Sequence, residues 1–165
     1  MISKVLVMEE KTKKALSRLQ AQCSKREYCT SDVRRKALTL LDGDAVAADE
    51  VIEALKAENY LSDLRYATFF ARDKSSIQGW GPVKISFQLA GKGIDRQTIS
   101  QALAEIDSDK AEDRMEAVLR SKYKLLVGDK DVKLKLLKFA LSRGYEYDAV
   151  KGVVDNIISE NKDEE

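Results

Sequence analysis

Apolar residues recur three or four positions apart along most of the chain, which is the spacing of one face of an α-helix. Residues 16–23, 99–106 and 150–157 show this pattern clearly. Residues 83–89 instead alternate apolar and polar side chains, and this segment alone would predict a β-strand. It directly follows Pro82, however, and proline suits the first turn of a helix because its φ is already close to the helical value. We therefore predict a helix here too, and an all-α protein.

The chain also matches itself at a period of roughly 50 residues. The apolar positions brought together by this repeat are expected to be buried and follow the spacing of a helix face; they are Val46, Ile94 and Tyr145; Val51, Ile99 and Val150; Ala54, Ala102 and Val153; Leu55, Leu103 and Val154; Ala37, Ile85 and Leu136; and Leu41, Leu89 and Ala140. In the turn between the last two helices of each copy, Gly93 and Gly144 occupy matching positions, with Ala45 in the first copy. Glycine there closes a helix in the left-handed conformation, and Asp95 then caps the next helix. The sequence thus predicts three tandem three-helix repeats forming an elongated, curved array.

The predicted organisation has a short segment at each end of the three repeats. It consists of an N-terminal extension (1–13), repeat 1 (14–60), repeat 2 (61–108), repeat 3 (109–159) and an acidic tail (160–165).

Charge follows the same period. The formal net charge is only +1, although 35% of the residues are charged. Basic side chains outnumber acidic ones in residues 11–41, 64–97 and 120–143, and acidic side chains dominate the stretches that follow them. Stacked repeats would gather these blocks into a basic and an acidic stripe. The stripes either neutralise each other between neighbouring repeats or bind an extended, charged, repetitive partner.

Composition excludes most catalytic chemistry. The chain has no histidine, and its two cysteines, Cys23 and Cys29, are too few for a zinc site or a disulfide framework. It has no glycine-rich phosphate loop either. We therefore predict no catalytic residues, no metal, no cofactor and no enzymatic activity. The apolar segment Val5–Met8 is too short for a signal peptide, and no stretch predicts a membrane span, so we expect a cytoplasmic protein.

Several short motifs occur in a fixed order. They are Arg26-Glu27-Tyr28, Ser31-Asp32-Val33-Arg34-Arg35-Lys36, Tyr60-Leu61-Ser62-Asp63, Arg65-Tyr66-Ala67, Gly79-Trp80-Gly81-Pro82-Val83-Lys84-Ile85, Lys92-Gly93-Ile94 and Arg143-Gly144-Tyr145. In this order and spacing they resemble the RecX family, bacterial regulators of the RecA recombinase. The resemblance covers residues 14–158 and is most specific over residues 60–94. The chain departs from the family pattern at Ser62, where an aspartate is usual, at Leu64, where a charged residue is usual, and in the turn at residues 41–45.

The resemblance implies a three-repeat helical fold that binds RecA filaments on single-stranded DNA, without chemistry of its own. We expect it to inhibit the filament and to act as a monomer. The partner-binding residues that we predict are Arg65, Tyr66, Arg72, Lys84, Lys92 and Arg143, although Tyr66 could belong to the core instead. Structural roles are predicted for Asp63, Trp80, Gly81, Pro82, Gly93 and Gly144. Asp63 would cap the helix beginning near Leu64, and Trp80 is either a lid on the helix junction or an exposed anchor.

Two other functions remain open from the residues alone. The three-helix units resemble helix-turn-helix modules, and their basic blocks could contact DNA phosphates directly. The acidic blocks are equally strong and the pI is about 7.6, so DNA binding is expected to be weak and salt-sensitive. A general helical-repeat adaptor is the second alternative, although a period near 50 exceeds that of the common two-helix repeat.

Overall fold

The computed structural model describes residues 8–162, and within that range the chain is helical without any β-strand. Its helices are α1 (Glu10–Cys23), α2 (Thr30–Leu40), α3 (Ala45–Ala57), α4 (Asp63–Ser76), α5 (Pro82–Gly91), α6 (Arg96–Ala104), α7 (Ser108–Leu126), α8 (Val132–Ser142) and α9 (Tyr147–Lys162). The all-α prediction is confirmed. Most of the apolar segment Val5–Met8, the beginning of the predicted extension and the end of the predicted tail lie outside the described residues.

The helices form three units, each with its own core. Unit 1 (α1–α3), unit 2 (α4–α6) and unit 3 (α7–α9) each surround a separate cluster of buried apolar side chains. Unit 2 adjoins unit 3 through α4, which packs against both α6 and α7. The prediction of three tandem three-helix repeats is therefore confirmed. Helix α1 begins before, and α9 ends after, the outer limits 14 and 159 predicted for the repeats; the predicted domain boundaries stay a prediction.

Helix α5 explains the strand-like pattern of residues 83–89. Pro82 is its first residue, as predicted. Ile85 and Leu89 are one helical turn apart and face the core, whereas Val83 and Phe87 are 51% and 75% exposed. The alternation arises because two of the four apolar side chains lie on the solvent face of a helix. A strand would have placed all four on one side.

The first unit has a different turn between its second and third helices. Helix α2 ends at Leu40, about one turn earlier than the matching position in α5, and Asp42 and Gly43 adopt left-handed φ angles of 51° and 84°. Ala45, which the repeat aligns with Gly93 and Gly144, is instead the first residue of α3. Val46 therefore lies in an added helical turn and is 72% exposed. The prediction that Val46 is buried like Ile94 and Tyr145 is wrong.

Units 2 and 3 meet backbone to backbone, at a contact we call the second seam. The amide of Gly81 donates a hydrogen bond to the carbonyl of Arg143 (2.8 Å), and the amide of Val83 donates to the carbonyl of Gly144 (2.9 Å). A Cβ atom on Gly81 would overlap the carbonyl of Gly144, and one on Gly144 would overlap Cβ and the backbone nitrogen of Lys84. Both positions therefore require glycine for the units to approach this closely.

Two side chains of unit 3 hold the loop between α4 and α5 at this seam. The buried hydroxyl of Tyr145 donates to the carbonyl of Gly79 (2.6 Å), and Nη2 of Arg114 donates to the carbonyl of Ile77 (2.9 Å). Burial raises the pKa of Tyr145, so its hydroxyl keeps the proton that it donates. Unit 3 thus fixes the loop that carries Trp80.

Three glycine-to-alanine variants should separate two contributions to the loss of stability: the cost of a left-handed backbone and the cost of steric overlap. Gly93 has a φ of 78° but open space around it, so Gly93→Ala should lower the free energy of unfolding by about 1–2 kcal/mol. Gly81 has a φ of −85°, so Gly81→Ala should cost about 1–3 kcal/mol through overlap alone. Gly144, with a φ of 91°, combines both effects and should lose the most. Urea denaturation measures all three, and equal losses would contradict the steric account of the second seam.

Candidate functional site

Units 1 and 2 meet at a contact that we call the first seam, and Asp63 lies within it. Oδ1 of Asp63 accepts a hydrogen bond from the amide of Thr30 (2.7 Å), the first residue of α2. The N-cap of α4 is Ser62, whose hydroxyl accepts from the amide of Arg65 (3.2 Å). The prediction that Asp63 caps its own helix is therefore wrong. Because Ser62 already caps α4, Asp63 satisfies the helix of the preceding unit instead.

Lys92 crosses the first seam with both its side chain and its backbone. Its Nζ atom donates to Oδ2 of Asp32 (3.1 Å), and its carbonyl accepts from the hydroxyl of Ser31 (2.7 Å). Close by in the same seam, Nε of Arg65 donates to Oε1 of Glu27 (3.0 Å). Two of the residues predicted to bind a partner thus hold unit 1 against unit 2.

The pair of Asp32 and Lys92 is electrostatically coupled. Burial of the Asp32 carboxyl raises its pKa, but hydrogen bonds from the side chains of Cys29 and Lys92 outweigh this effect and leave the pKa below its ordinary value. The hydrogen bond to Asp32 raises the pKa of Lys92. Both groups are therefore charged at neutral pH, and the ion pair supports the first seam.

Helix α4 and the loop that follows it position Tyr66 and Trp80, the two aromatic residues named in the sequence-based predictions. The ring of Tyr66 stacks on Phe70, with centroids 6.0 Å apart, and Phe70 meets the edge of Trp80 at 6.2 Å. All three rings are half-buried and pack against the core of unit 2. For Trp80 this arrangement favours the lid interpretation, and for Tyr66 it favours a role in the core. Arg72 lies elsewhere on α4, where Nη2 is 3.7 Å from a carboxylate oxygen of Glu105.

Lys84 and Arg143 belong to a different arrangement, in which two cations lie over one aromatic ring. Every unit has one such site. The rings and their cations, with distances to the ring centroid, are Tyr28 with Arg26 (4.4 Å) and Lys36 (4.2 Å), Trp80 with Lys74 (4.9 Å) and Lys84 (4.2 Å), and Phe139 with Lys122 (5.1 Å) and Arg143 (5.5 Å). We call these six side chains the ring-held cations.

The ring-held cations have the face of an aromatic ring as their partner and no carboxylate. Within residues 8–162, none of the six forms a salt bridge, whereas Arg65, Arg72 and Lys92 each do. The face of an aromatic ring attracts a cation and restricts its position. Sequence reasoning identified only Lys84 and Arg143 among them. Each of these two follows its ring by four residues, whereas the separations of the other four cations from their rings are all different and form no motif.

An open groove of about 710 Å³ adjoins the first seam. Its apolar lining comes from Cys23, Tyr66, Phe69 and Phe70, and charged side chains such as Arg26 line it too. In the part of the chain that the structure describes, no three cysteine or acidic side chains are grouped to hold a metal ion. No helix among those residues is long and apolar enough to cross a membrane.

Comparison with known proteins identifies the family. The family model described as "RecX, second three-helix domain" matches residues 62–103. Regulatory protein RecX of Actinobacillus pleuropneumoniae serotype 5b (strain L20) is 34% identical, over 86% of this chain and 91% of its own length. This chain belongs to the RecX family. Regulatory protein RecX of Clostridium botulinum (strain Eklund 17B / Type B) is 33% identical over 76% of this chain but only 60% of its own length, so the chain spans about three fifths of that relative.

Solved structures show that the fold is that of RecX proteins. A crystal structure of regulatory protein RecX superposes with a TM-score of 0.75 at 20% identity, covering 88% of this chain and 72% of that one. RecX from Lactobacillus salivarius superposes with a TM-score of 0.73 at 22% identity, covering 93% and 97% of the two chains. The stretch matched by the RecX family model contains Asp63, Gly81 and Lys92, and it therefore supplies the unit 2 side of both seams.

The ion pair of the first seam should make stability depend on pH. The lowered pKa of Asp32 means that its contribution is present at neutral pH and is lost as pH falls through that pKa, whereas the contribution of Lys92 is lost only in strong alkali. Asp32→Asn should lower the free energy of unfolding by about 1 kcal/mol at neutral pH. The difference in free energy of unfolding between Asp32→Asn and wild type should shrink below about pH 4.

Urea denaturation across this pH range provides the measurement. Asp148→Asn is the matched control, because Asp148 pairs with Lys151 within one helix and is 87% exposed. A difference for Asp32→Asn that stays constant down to pH 3 would rule out the charge-based account.

Proposed function

We propose that this chain binds filaments of the RecA recombinase on single-stranded DNA and inhibits their activity in recombination and repair. The observation that carries the proposal is membership of the RecX family, whose matched relatives are named regulatory proteins. We further propose that the chain acts as a cytoplasmic monomer, without a catalytic step or a cofactor.

The mechanism that the fold supports is mechanical. A recombinase filament presents the same surface repeatedly along its axis, and an array of similar units can contact neighbouring protomers. The seams keep the three units in fixed relative positions, because they consist of hydrogen bonds between residues far apart in sequence. Once one unit is bound, the next contact is effectively intramolecular, which multiplies affinity by about 10² to 10⁴. Binding across protomers would favour one filament geometry and hinder the changes needed for turnover.

Direct binding to DNA is the second candidate function. The ring-held cations favour it, since side chains without a carboxylate partner are available to phosphates. Such binding would weaken by orders of magnitude between about 50 mM and about 200 mM salt if several phosphates were contacted. We propose it as a weak accessory to filament binding.

The direct test is DNA-dependent ATP hydrolysis by the cognate RecA recombinase. The rate should fall with increasing concentration of this protein and recover when its concentration is reduced. Co-sedimentation with preformed filaments should show binding over the same concentration range. An unchanged ATPase rate together with no binding would contradict the proposed function.

The mechanical account makes a further prediction for the seam variants. Gly81→Ala, which disturbs the second seam, should inhibit hydrolysis less than Gly93→Ala, whose surroundings are open. Both proteins must first be shown by circular dichroism to be folded at the assay temperature. Equal inhibition by both variants would mean that the relative position of units 2 and 3 has no role.

A further inference from the structure

The second helices of units 2 and 3 both expose apolar side chains, and one exposed pair lies at a matching position of the repeat. Val83 of α5 corresponds to Leu134 of α8, and the two side chains are 51% and 53% exposed. Phe87, one turn beyond Val83, is 75% exposed, and Leu141 of α8 is 48% exposed. Single exposed apolar residues are common, but a matching pair in consecutive repeats is a feature of the array and not of one helix.

The apolar face of α5 lies beside the ring-held cations of unit 2. Lys84 is three residues before Phe87 and Val83 is four residues before it, so both side chains are neighbours of Phe87 on the helix surface. The Nζ atoms of Lys84 and Lys74 are both held over Trp80, at 4.2 and 4.9 Å. Two unneutralised ammonium groups thus border an exposed phenylalanine and valine. On another face of that helix, Ile85 and Leu89 are buried in the core of unit 2.

We propose that this surface, formed by Val83, Phe87, Lys74 and Lys84, is the docking site for a protein surface that has an apolar pocket flanked by carboxylates. The proposal rests on the proposed function, and the partner is then a protomer of the recombinase filament. The ring-held lysines complement the carboxylates, and their restricted positions reduce the entropy lost on binding. Phe87 is the anchor, because large aromatic side chains contribute strongly when they enter a pocket.

The same observations argue for a protein and against a nucleic acid as the occupant. Exposed valine and phenylalanine gain little beside a phosphate backbone, whereas a protein interface has an apolar centre and a charged rim. Stretches in which acidic side chains predominate alternate with the basic blocks along the chain, so an extended polyanion along the array would meet repulsion as well as attraction. A protein surface with both signs of charge meets no such conflict.

Unit 1 differs at the matching positions. Arg35 and Thr39 occupy the places of Val83 and Phe87, so its second helix has no apolar anchor there. Its ring-held cations, Arg26 and Lys36, could contribute to the charged rim only. The docking surface is therefore centred on unit 2.

The test compares four variants with wild type for binding to RecA filaments preassembled on single-stranded DNA, and for binding to the same DNA alone. Phe87→Ala and Val83→Ala remove the apolar anchor, and the double variant Lys74→Gln with Lys84→Gln removes the cations. The control is Leu125→Ala with Lys110→Gln, which removes an equally exposed leucine and a lysine without a ring or a salt bridge. Circular dichroism and thermal melting confirm that each variant is folded.

The expected result is a loss of filament affinity of about thirtyfold for Phe87→Ala and about tenfold for the double lysine variant. Val83→Ala should lose less than Phe87→Ala, and the control should stay within about twofold of wild type. The lysine variant should also show a weaker dependence of affinity on salt.

Three outcomes would overturn the docking surface. One is wild-type affinity of both Phe87→Ala and Val83→Ala, and another is an equal loss in the control. The third concerns the lysine variant: its binding to DNA alone falls in parallel with its binding to filaments, while Phe87→Ala changes neither. That result would make nucleic acid the occupant. Failure of the wild-type protein to bind filaments would instead overturn the proposed function itself.

Discussion

The arrangement of the three units depends on the close approach of two peptide backbones at the second seam. The amides of Gly81 and Val83 donate hydrogen bonds to the carbonyls of Arg143 and Gly144, and no side chain fits at Gly81 or Gly144. Because both hydrogen bonds join main-chain atoms, neither unit can shift without breaking them, and this contact fixes unit 3 relative to unit 2. The loop that carries Trp80 is fixed with it, and so is the ring over which Lys74 and Lys84 lie.

At the first seam, charged and polar side chains hold unit 1 in position relative to unit 2. Asp63 satisfies the first amide of a helix in the preceding unit, and Lys92 pairs with Asp32 across the contact. These motif residues resemble a binding site when they are seen only in sequence, since they are charged and closely spaced. The structure uses them between units. The six ring-held cations are among the basic side chains that the described part of the chain leaves without a carboxylate, and their rings restrict where they can meet a partner.

Much of the fold could be predicted, because helices are specified by local signals. The repeat gave the number of units, Pro82 marked the start of α5, and Asp95 caps α6 by accepting from the amide of Thr98, as predicted. Gly93 and Gly144 adopt the left-handed conformation expected of them. The prediction that Val46 is buried failed because aligning the repeats assumed the same turn geometry in every unit, whereas Asp42 and Gly43 end α2 early.

The sequence by itself determined the helices, the cap at Asp95, the three-fold repeat and the family resemblance. Each of these depends on residues within a few positions of one another, or on a pattern that recurs along the chain. Only the tertiary structure decided which residues meet across the seams, because Asp32 and Lys92, or Gly81 and Gly144, come together only when whole units dock. It also decided that Phe87 is exposed while Leu89 is buried. Both residues belong to the same alternating pattern, and only the packing of α5 against the core of unit 2 distinguishes them.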